Sequence, residues 1–504
     1  MPIIGKLLKK TTKIGYKRNF NKGKEYFHQV ETLKKLLEKA KFTKFGFQYK
    51  FNEISNNVEL VEDFQQLVPI TDYDRFYDAW LKDSILGVKD NTWPGRIKFY
   101  ALSSGTTGSP SKRIPVSEEM IRSFQKTSMR QITMLHELDL PESFYSANVL
   151  VVGGCTKLNK KKTHIEGDLS GILKKHTSFI LSPFAKPGNK ITGIKDWNVK
   201  MEMMIEKAPT WNIGVVAGVP SWCIMLMEKI IERYQLNSIH DIWPNFDVYV
   251  HGGVFMQPYT KRLEKVTGKK VHLLDTYLAS EGYFGFQTST SRKGMQLLLD
   301  TGVFFEFVPF NSDYFDEQGE LINRNIAYTL SEVEEGIDYA MVITTNAGLW
   351  RYMLGDLVRF INVEEREVCI TGRIKQFLSL CGEHLSLANI NEAIRNVADN
   401  NNIEITEFCI YPDIDHQRHE WFLGIDEDKQ AILAQLDAEL GRLNDDYASA
   451  RKYTLNQPTI EVLSPKVFYA FMDSIGKSGS QNKFPRVMNT HQSEQWLKYL
   501  ASHA

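Results

Sequence analysis

Hydroxyls, glycines and cations crowd into one short stretch, Ser103-Ser104-Gly105-Thr106-Thr107-Gly108-Ser109-Pro110-Ser111-Lys112, with Arg113 directly after it. Hydroxyls donate to phosphate oxygens. Glycines let the backbone turn tightly and bring bare N–H groups up to an anion. The apolar run Ile97–Leu102 ahead of the stretch reads as a strand, so the loop sits at a strand end and can wrap a polyphosphate. It is not a Walker A loop, because Pro110 stands where that pattern requires glycine before Lys and Ser/Thr. A polar surface turn explains the same residues if nothing else accompanies them.

Four other segments carry chemistry. Asp275-Thr276-Tyr277-Leu278-Ala279-Ser280-Glu281-Gly282 follows a strand. Glu281 beside a glycine can hold Mg²⁺, which takes one or two carboxylates and keeps most of its waters. Tyr277 offers a flat face on which an adenine could stack. Gly348-Leu349-Trp350-Arg351-Tyr352-Met353-Leu354-Gly355-Asp356 ends in a carboxylate expected on a tight turn, where it could accept both hydroxyls of a ribose. In Thr371-Gly372-Arg373-Ile374-Lys375, Gly372 gives hinge freedom and Arg373 could reach ribose or phosphate. Lys477-Ser478-Gly479-Ser480-Gln481-Asn482-Lys483-Phe484-Pro485-Arg486 is basic and glycine-punctuated, and by itself reads as a surface loop near the end of the chain.

Elements must bring these segments together. Residues 25–42 have the spacing of an amphipathic helix, with Val30, Leu33, Leu37 and Ala40 on one face. Residues 61–80 read as two helices broken at Pro69, with Thr71 capping the second. Residues 118–137 read as another helix. Strands and helices then alternate: strands at 147–154, 213–217, 246–250 and 270–275, helices at 201–207 and 222–234. That alternation predicts a largely parallel sheet covered on both faces, with ligands beyond the carboxyl ends of its strands. Val219 and Trp222, and the glycines Gly252 and Gly253 that end a strand, are therefore candidates for substrate contact.

Between about 295 and 361 short strands follow one another without helices, which predicts an antiparallel, barrel-like subdomain. After residue 372 the pattern resets to helix 387–398, strands 404–411 and 419–425, helix 427–442 and strand 459–463. The expected fold is α/β: a large domain over 1–371, a hinge at 372–376 and a small α/β domain over 377–504.

Composition excludes little but points consistently. The chain has 504 residues and a formal net charge of +0, so no global field selects nucleic acid or membrane. The eight cations from Lys6 to Lys24 that precede Glu25 read as a solvated face. Cys155, Cys223, Cys369, Cys381 and Cys409 are scattered, with no CxxC pair, which indicates neither zinc nor a disulfide framework and fits a reducing cytoplasm. No apolar run is long enough to span a bilayer, and the N-terminus lacks a signal-peptide core.

In order, a phosphate loop, Tyr-x-x-Ser-Glu, Gly-Asp, a Gly-Arg hinge and a late lysine resemble the adenylate-forming superfamily of acyl-CoA ligases and firefly luciferase. Within it, Gly348 to Asp356 is similar to the G-L-Y-R-Y-R-L-G-D of the plant auxin-responsive Gretchen Hagen family of acyl-acid amido synthetases. Gln481 to Arg486 is similar to its Q-Y-K-x-P-R. The segments Phe64 to Tyr73, Trp93-Pro94-Gly95 and Gly218 to Trp222 are also similar. The chain departs at Met353, where that family usually has arginine.

The resemblance implies ATP and Mg²⁺ as cofactors, with a carboxylic acid and an amine, such as that of an amino acid, as substrates. The loop from Ser103 through Gly108 would hold the β- and γ-phosphates, and Glu281 the Mg²⁺. Tyr277 and Ser280 would belong to the nucleotide site, and Asp356 and Arg373 would fix the ribose. Lys483 would bridge the attacking carboxylate and the α-phosphate, and rotation about Lys375 would bring it in and take it away. An acyl-CoA ligase shares the first half-reaction. A non-catalytic nucleotide-binding relative shares the fold.

Overall fold

The structure is a computed structural model that describes residues 9–13, 25–103, 112–176, 184–252, 256, 259–316, 319–374, 378, 380, 385, 387–425, 432–477 and 483–503. Most of the basic N-terminal stretch lies outside these residues, as do Ser104 to Ser111, Gly253, Lys375 and Ser478 to Asn482.

One sheet of eleven strands dominates. In spatial order its strands are Val303–Pro309, Asp338–Thr345, Tyr352–Asn362, Glu367–Arg373, Met295–Leu297, Gly282–Phe286, His272–Ala279, Val248–Gly252, Ile213–Gly218, Asn148–Val152 and Ala185–Lys186. From His272–Ala279 to Ala185–Lys186 neighbouring strands run parallel; the others are antiparallel. The antiparallel run expected as a barrel-like subdomain is continuous with the parallel strands in one sheet.

The junction is the hairpin of His272–Ala279 and Gly282–Phe286, closed by Ser280 and Glu281. The expected strand 270–275 runs on past Asp275, because Tyr277 belongs to the main core and holds the strand in the sheet.

A four-stranded sheet carries the phosphate loop. Phe99–Ser103 pairs antiparallel with Lys112–Val116, and Ser103 faces Lys112 across the ladder. Helix Glu118–Met134 follows, capped by the Ser117 hydroxyl, and buries Met120, Ile121 and Phe124 in the main core.

Helices Trp197–Lys207 and Pro220–Tyr234 build a second core with Trp222, Leu226, Met227 and Ile230 on the buried face. Pro220 opens its helix where a missing N–H is harmless.

Helix Leu387–Asn401, strands Glu407–Asp413, Arg418–Gly424 and Thr459–Leu463, and helices Ile432–Leu443, Pro465–Ser474 and Thr490–His503 form the C-terminal region around two cores of their own, one on each face of its sheet. Near Pro69 the break falls as expected, but the cap does not. Asp72, not Thr71, accepts from the Arg75 N–H, because the Thr71 N–H is engaged by the Arg351 carbonyl at 3.0 Å. Among the described residues no helix is long and apolar enough to cross a membrane.

Candidate active site

Tyr277, Asp356 and Arg373 meet across the sheet. Asp356 and Arg373 are register partners on adjacent strands, and the Arg373 Nε lies 2.8 Å from the Asp356 Oδ1. The Tyr277 hydroxyl donates to Asp356 Oδ2 at 2.9 Å. Asp356 is buried at 6% exposure, whereas Arg373 keeps an open side chain.

The expected Gly-Asp turn is instead a bulge inside strand Tyr352–Asn362. The register slips between Ala340 and Val342, opposite the residues from Met353 to Leu357, and Gly355 absorbs the slip at φ +91°.

Tyr277 departs from its expected use. Its ring is 3% exposed and meets Phe284 edge-on at 5.0 Å. Little of its face is open to a stacked base, and its hydroxyl serves to hold Asp356.

Glu281, in the hairpin turn after Ser280, is buried at 7% exposure. Burial pushes its carboxyl up to about 7; Asp356 adds to the rise, while Lys112 and Arg373 oppose it. Lys112, at the far end of the phosphate loop, is thus within electrostatic reach of Glu281. Glu281 is a carboxylate within electrostatic reach of Lys112, the kind of donor Mg²⁺ takes. Among the described residues no group of three or more His, Cys, Asp or Glu side chains is placed to hold a metal ion.

Lys483 arrives from the C-terminal region. Desolvation by the surrounding walls lowers its ammonium to about 8, Arg373 lowers it further and Asp356 opposes the shift. Its side chain is exposed and lies within electrostatic reach of both Arg373 and Asp356.

Sequence reasoning missed the residues that brace this group. The Tyr73 hydroxyl accepts from the Arg113 N–H at 2.8 Å, and the Lys112 ammonium lies 5.1 Å from the centre of the Tyr73 ring. The Arg113 Nε pairs with buried Glu166 at 2.9 Å, and His164 sits 3.3 Å from the same carboxylate. One end of the phosphate loop is clamped in this way.

Arg351 is completely buried. It binds Glu306 by Nε and Nη2, and donates by Nη1 to the Gln65 and Val68 carbonyls and by Nη2 to that of Asn325. Its neighbour Trp350 stacks on Phe45 and donates to the Thr92 carbonyl. Met353 packs in an apolar cluster with Ile70, Val342 and Leu357.

Of the candidates for substrate contact, Val219 opens helix Pro220–Tyr234 at the end of strand Ile213–Gly218. Trp222 is 6% exposed and meets Trp197 edge-on at 5.0 Å, so it is chiefly a core residue. Gly252 has to be glycine: a Cβ there would lie 2.5 Å from the Thr276 carbonyl oxygen. Ser103 ends its strand with partial exposure. Ser104, Gly105, Thr106, Thr107, Gly108 and Gly253 lie outside the described residues.

An eleven-stranded mixed sheet, a four-stranded sheet beside it and a lysine reaching Asp356 and Arg373 from the C-terminal region make up the arrangement to be compared with known folds. The GH3 family N-terminal domain matches residues 19–143 and 132–272, the GH3 family central domain residues 296–368, and the GH3 family C-terminal domain residues 388–492. The chain belongs to the GH3 family.

Indole-3-acetic acid-amido synthetase GH3.2 of Arabidopsis thaliana is 30% identical over 168 residues, covering 32% of this chain and 30% of the relative. Jasmonoyl-L-amino acid synthetase GH3.5 of Oryza sativa subsp. japonica is 27% identical over 278 residues, covering 50% and 47%. The matched parts thus span less than half the length of these relatives.

The solved structure of GH3.15 acyl acid amido synthetase shares the fold at a TM-score of 0.75 and 18% identity, covering 100% of this chain and 96% of that one. A 2-hydroxyisobutyryl-CoA ligase in complex with 2-HIB-AMP shares it at 0.62 and 14% identity, covering 94% and 92%.

Proposed function

We propose that this chain is an ATP-dependent acyl-acid amido synthetase. In the first half-reaction a carboxylate oxygen attacks the α-phosphorus of ATP, the bond to the β-phosphate oxygen breaks, and acyl-adenylate and pyrophosphate form. In the second, an amine nitrogen attacks the acyl carbonyl, loses a proton, and displaces AMP. The observation that carries this reading is the convergence of Glu281, Asp356, Arg373 and Lys483, drawn from separate segments of the chain, with Lys112 within electrostatic reach of Glu281. The names of the curated relatives support amide formation in particular.

Roles follow from chemistry. Phosphoryl transfer needs positioning and charge neutralisation more than covalent help. Backbone N–H groups and hydroxyls from Ser103 to Gly108 hold the outer phosphates. Asp356, oriented by Tyr277 and Arg373, accepts from the ribose hydroxyls. Lys483 supplies a point charge between the incoming carboxylate and the α-phosphate. Glu281 would hold Mg²⁺, which supplies neutralising charge on the phosphate oxygens. Residues 377–504 act as a small domain that turns about 372–376, so that Lys483 serves the first half-reaction only. Acid-dependent exchange of labelled pyrophosphate into ATP tests the reading; no exchange with any acid of a broad panel contradicts it.

Two outcomes are expected at the site. Asp356→Ala weakens AMP binding by about 2 kcal/mol, roughly thirtyfold, through loss of hydrogen bonds to a charged acceptor. Calorimetry giving an unchanged AMP affinity returns Asp356 to a purely structural role.

The apparent Mg²⁺ affinity in pyrophosphate exchange rises with pH through about 7. The Glu281 carboxyl is raised to that value and is protonated below it, and a protonated carboxyl is a poor ligand. Glu281→Gln removes this pH dependence along with most of the affinity. A wild-type Mg²⁺ constant that stays flat from pH 6 to pH 8 contradicts the assignment.

A further inference from the structure

The loop bearing Lys483 is held from two sides. On its own side, Phe484 wedges between Phe468, Phe471 and Trp496, with ring centres 4.9, 5.9 and 5.3 Å away. The Arg486 carbonyl accepts from the Ile410 N–H at 2.9 Å, which pins the chain to strand Glu407–Asp413. The Arg486 guanidinium stands three residues beyond Lys483 and pairs with buried Glu407 at 2.9 Å. These contacts all lie within the small domain.

On the other side stands Tyr259 of the large domain, 3% exposed, just ahead of helix Thr260–Val266. Its hydroxyl accepts from Arg486 Nη2 at 3.0 Å and donates to Glu407 Oε1 at 3.4 Å. The Tyr469 hydroxyl donates to the same Glu407 oxygen at 3.0 Å and accepts from Arg262 Nη1 at 3.3 Å, and Arg262 is clamped to Glu228. At the rim, Lys261 pairs with Asp399 at 3.1 Å and Lys265 with Glu404 at 2.5 Å. At the rim the large domain thus presents the cations Lys261 and Lys265, and the small domain the carboxylates Asp399 and Glu404.

We infer that the Tyr259 hydroxyl is a positioning group for Lys483, acting through Arg486 and Glu407. This rests on the proposed reading that the small domain takes two arrangements. Arg486 and Glu407 travel together and stay paired in both. The Tyr259 hydroxyl reaches them only when the small domain is docked with Lys483 facing Asp356 and Arg373. It therefore favours the adenylating arrangement and contributes nothing to aminolysis. The shared hydroxyl also sets the angle of the Arg486 side chain, and hence the register of the residues leading back to Lys483.

Tyr259→Phe removes the hydroxyl and keeps the ring, and Glu407 retains Arg486 and Tyr469 as partners. The expected result is an acid-dependent pyrophosphate exchange rate about tenfold lower. The KM for ATP stays within about twofold, and aminolysis of supplied acyl-adenylate is unchanged. Arg486→Lys, which keeps the charge and loses the fork, shows the same split.

Hydrogen exchange of the unliganded protein reads docking without any substrate. Amides of 260–266 and 404–411 exchange faster in Tyr259→Phe than in wild type. An equal fall in both half-reactions, or unchanged exchange together with unchanged adenylation, overturns the inference. A wild-type chain that adenylates no acid sinks the functional reading instead; faster amide exchange in the variant then still supports Tyr259 as the docking contact, and unchanged exchange overturns it.

Discussion

Lys483→Ala lowers the rate of acid-dependent pyrophosphate exchange about a hundredfold while ATP binding stays near the wild-type value. On the proposed reading the ammonium offsets charge that builds on the α-phosphate oxygens as the carboxylate approaches, and that charge exists fully only in the transition state. Losing one such preorganised cation raises the barrier by about 3 kcal/mol. The asymmetry of the effect is the informative part. Lys483 comes from the C-terminal region to within electrostatic reach of Asp356 and Arg373, and on the proposed reading it serves only the adenylating half-reaction. Aminolysis of a supplied acyl-adenylate by the variant therefore survives.

The pH profile gives a second reading of the same group. Its pKa is lowered to about 8, first by desolvation and then by Arg373. A lysine acts here only while protonated, so wild-type adenylation declines as pH rises through about 8. Near wild-type exchange in the alanine variant, at any pH, removes Lys483 from the chemistry.

Arg351→Ala destabilises the protein by about 3–5 kcal/mol, because it leaves the Glu306 carboxylate buried without its cation. Both side chains have no exposure at all. Arg351 also closes three carbonyls that converge from the segments around Gln65, Val68 and Asn325. Its backbone sits at φ +41°, a conformation that side chains other than glycine rarely adopt, and this bonding holds it there.

The consequence reaches the site, since Arg351 precedes the strand that carries Asp356. Urea denaturation monitored by tryptophan fluorescence measures the loss. A double-mutant cycle with Glu306→Gln then separates the pair from the surrounding packing. A loss below about 1 kcal/mol would place this pair with ordinary surface ion pairs and refute its role as the brace of the strand.

Much of the site was legible because its residues lie in short motifs. Glu281, Asp356, Arg373 and Lys483 each stand in a recognisable local pattern, and the order of those patterns along the chain made them candidates for one site. What the motifs did not show is how the groups engage one another. Asp356 reads as a turn residue beside a glycine, but Gly355 serves a bulge, and only the register against Glu367–Arg373 puts Arg373 opposite it. Tyr277 reads as a stacking platform, yet the continuation of its strand turns the ring into the core. The cap at Asp72 and the burial of Arg351 are decided together, by a long-range bond from the Thr71 N–H to the Arg351 carbonyl. Tyr259 carries no local signal at all, since its partners are more than 140 residues away in the chain. Periodicity marks elements, and pairing across distant segments is beyond it.

The account turns on the identity of the acceptor. Its most direct test gives the protein one competent carboxylic acid, ATP, Mg²⁺, a mixture of amino acids and coenzyme A in a single reaction, with products read by mass spectrometry. The account predicts an N-acyl amino acid with stoichiometric AMP and pyrophosphate, and acyl-CoA at trace level. A dominant acyl-CoA product would contradict amide synthesis and make the chain a thioester-forming ligase on the same adenylating scaffold.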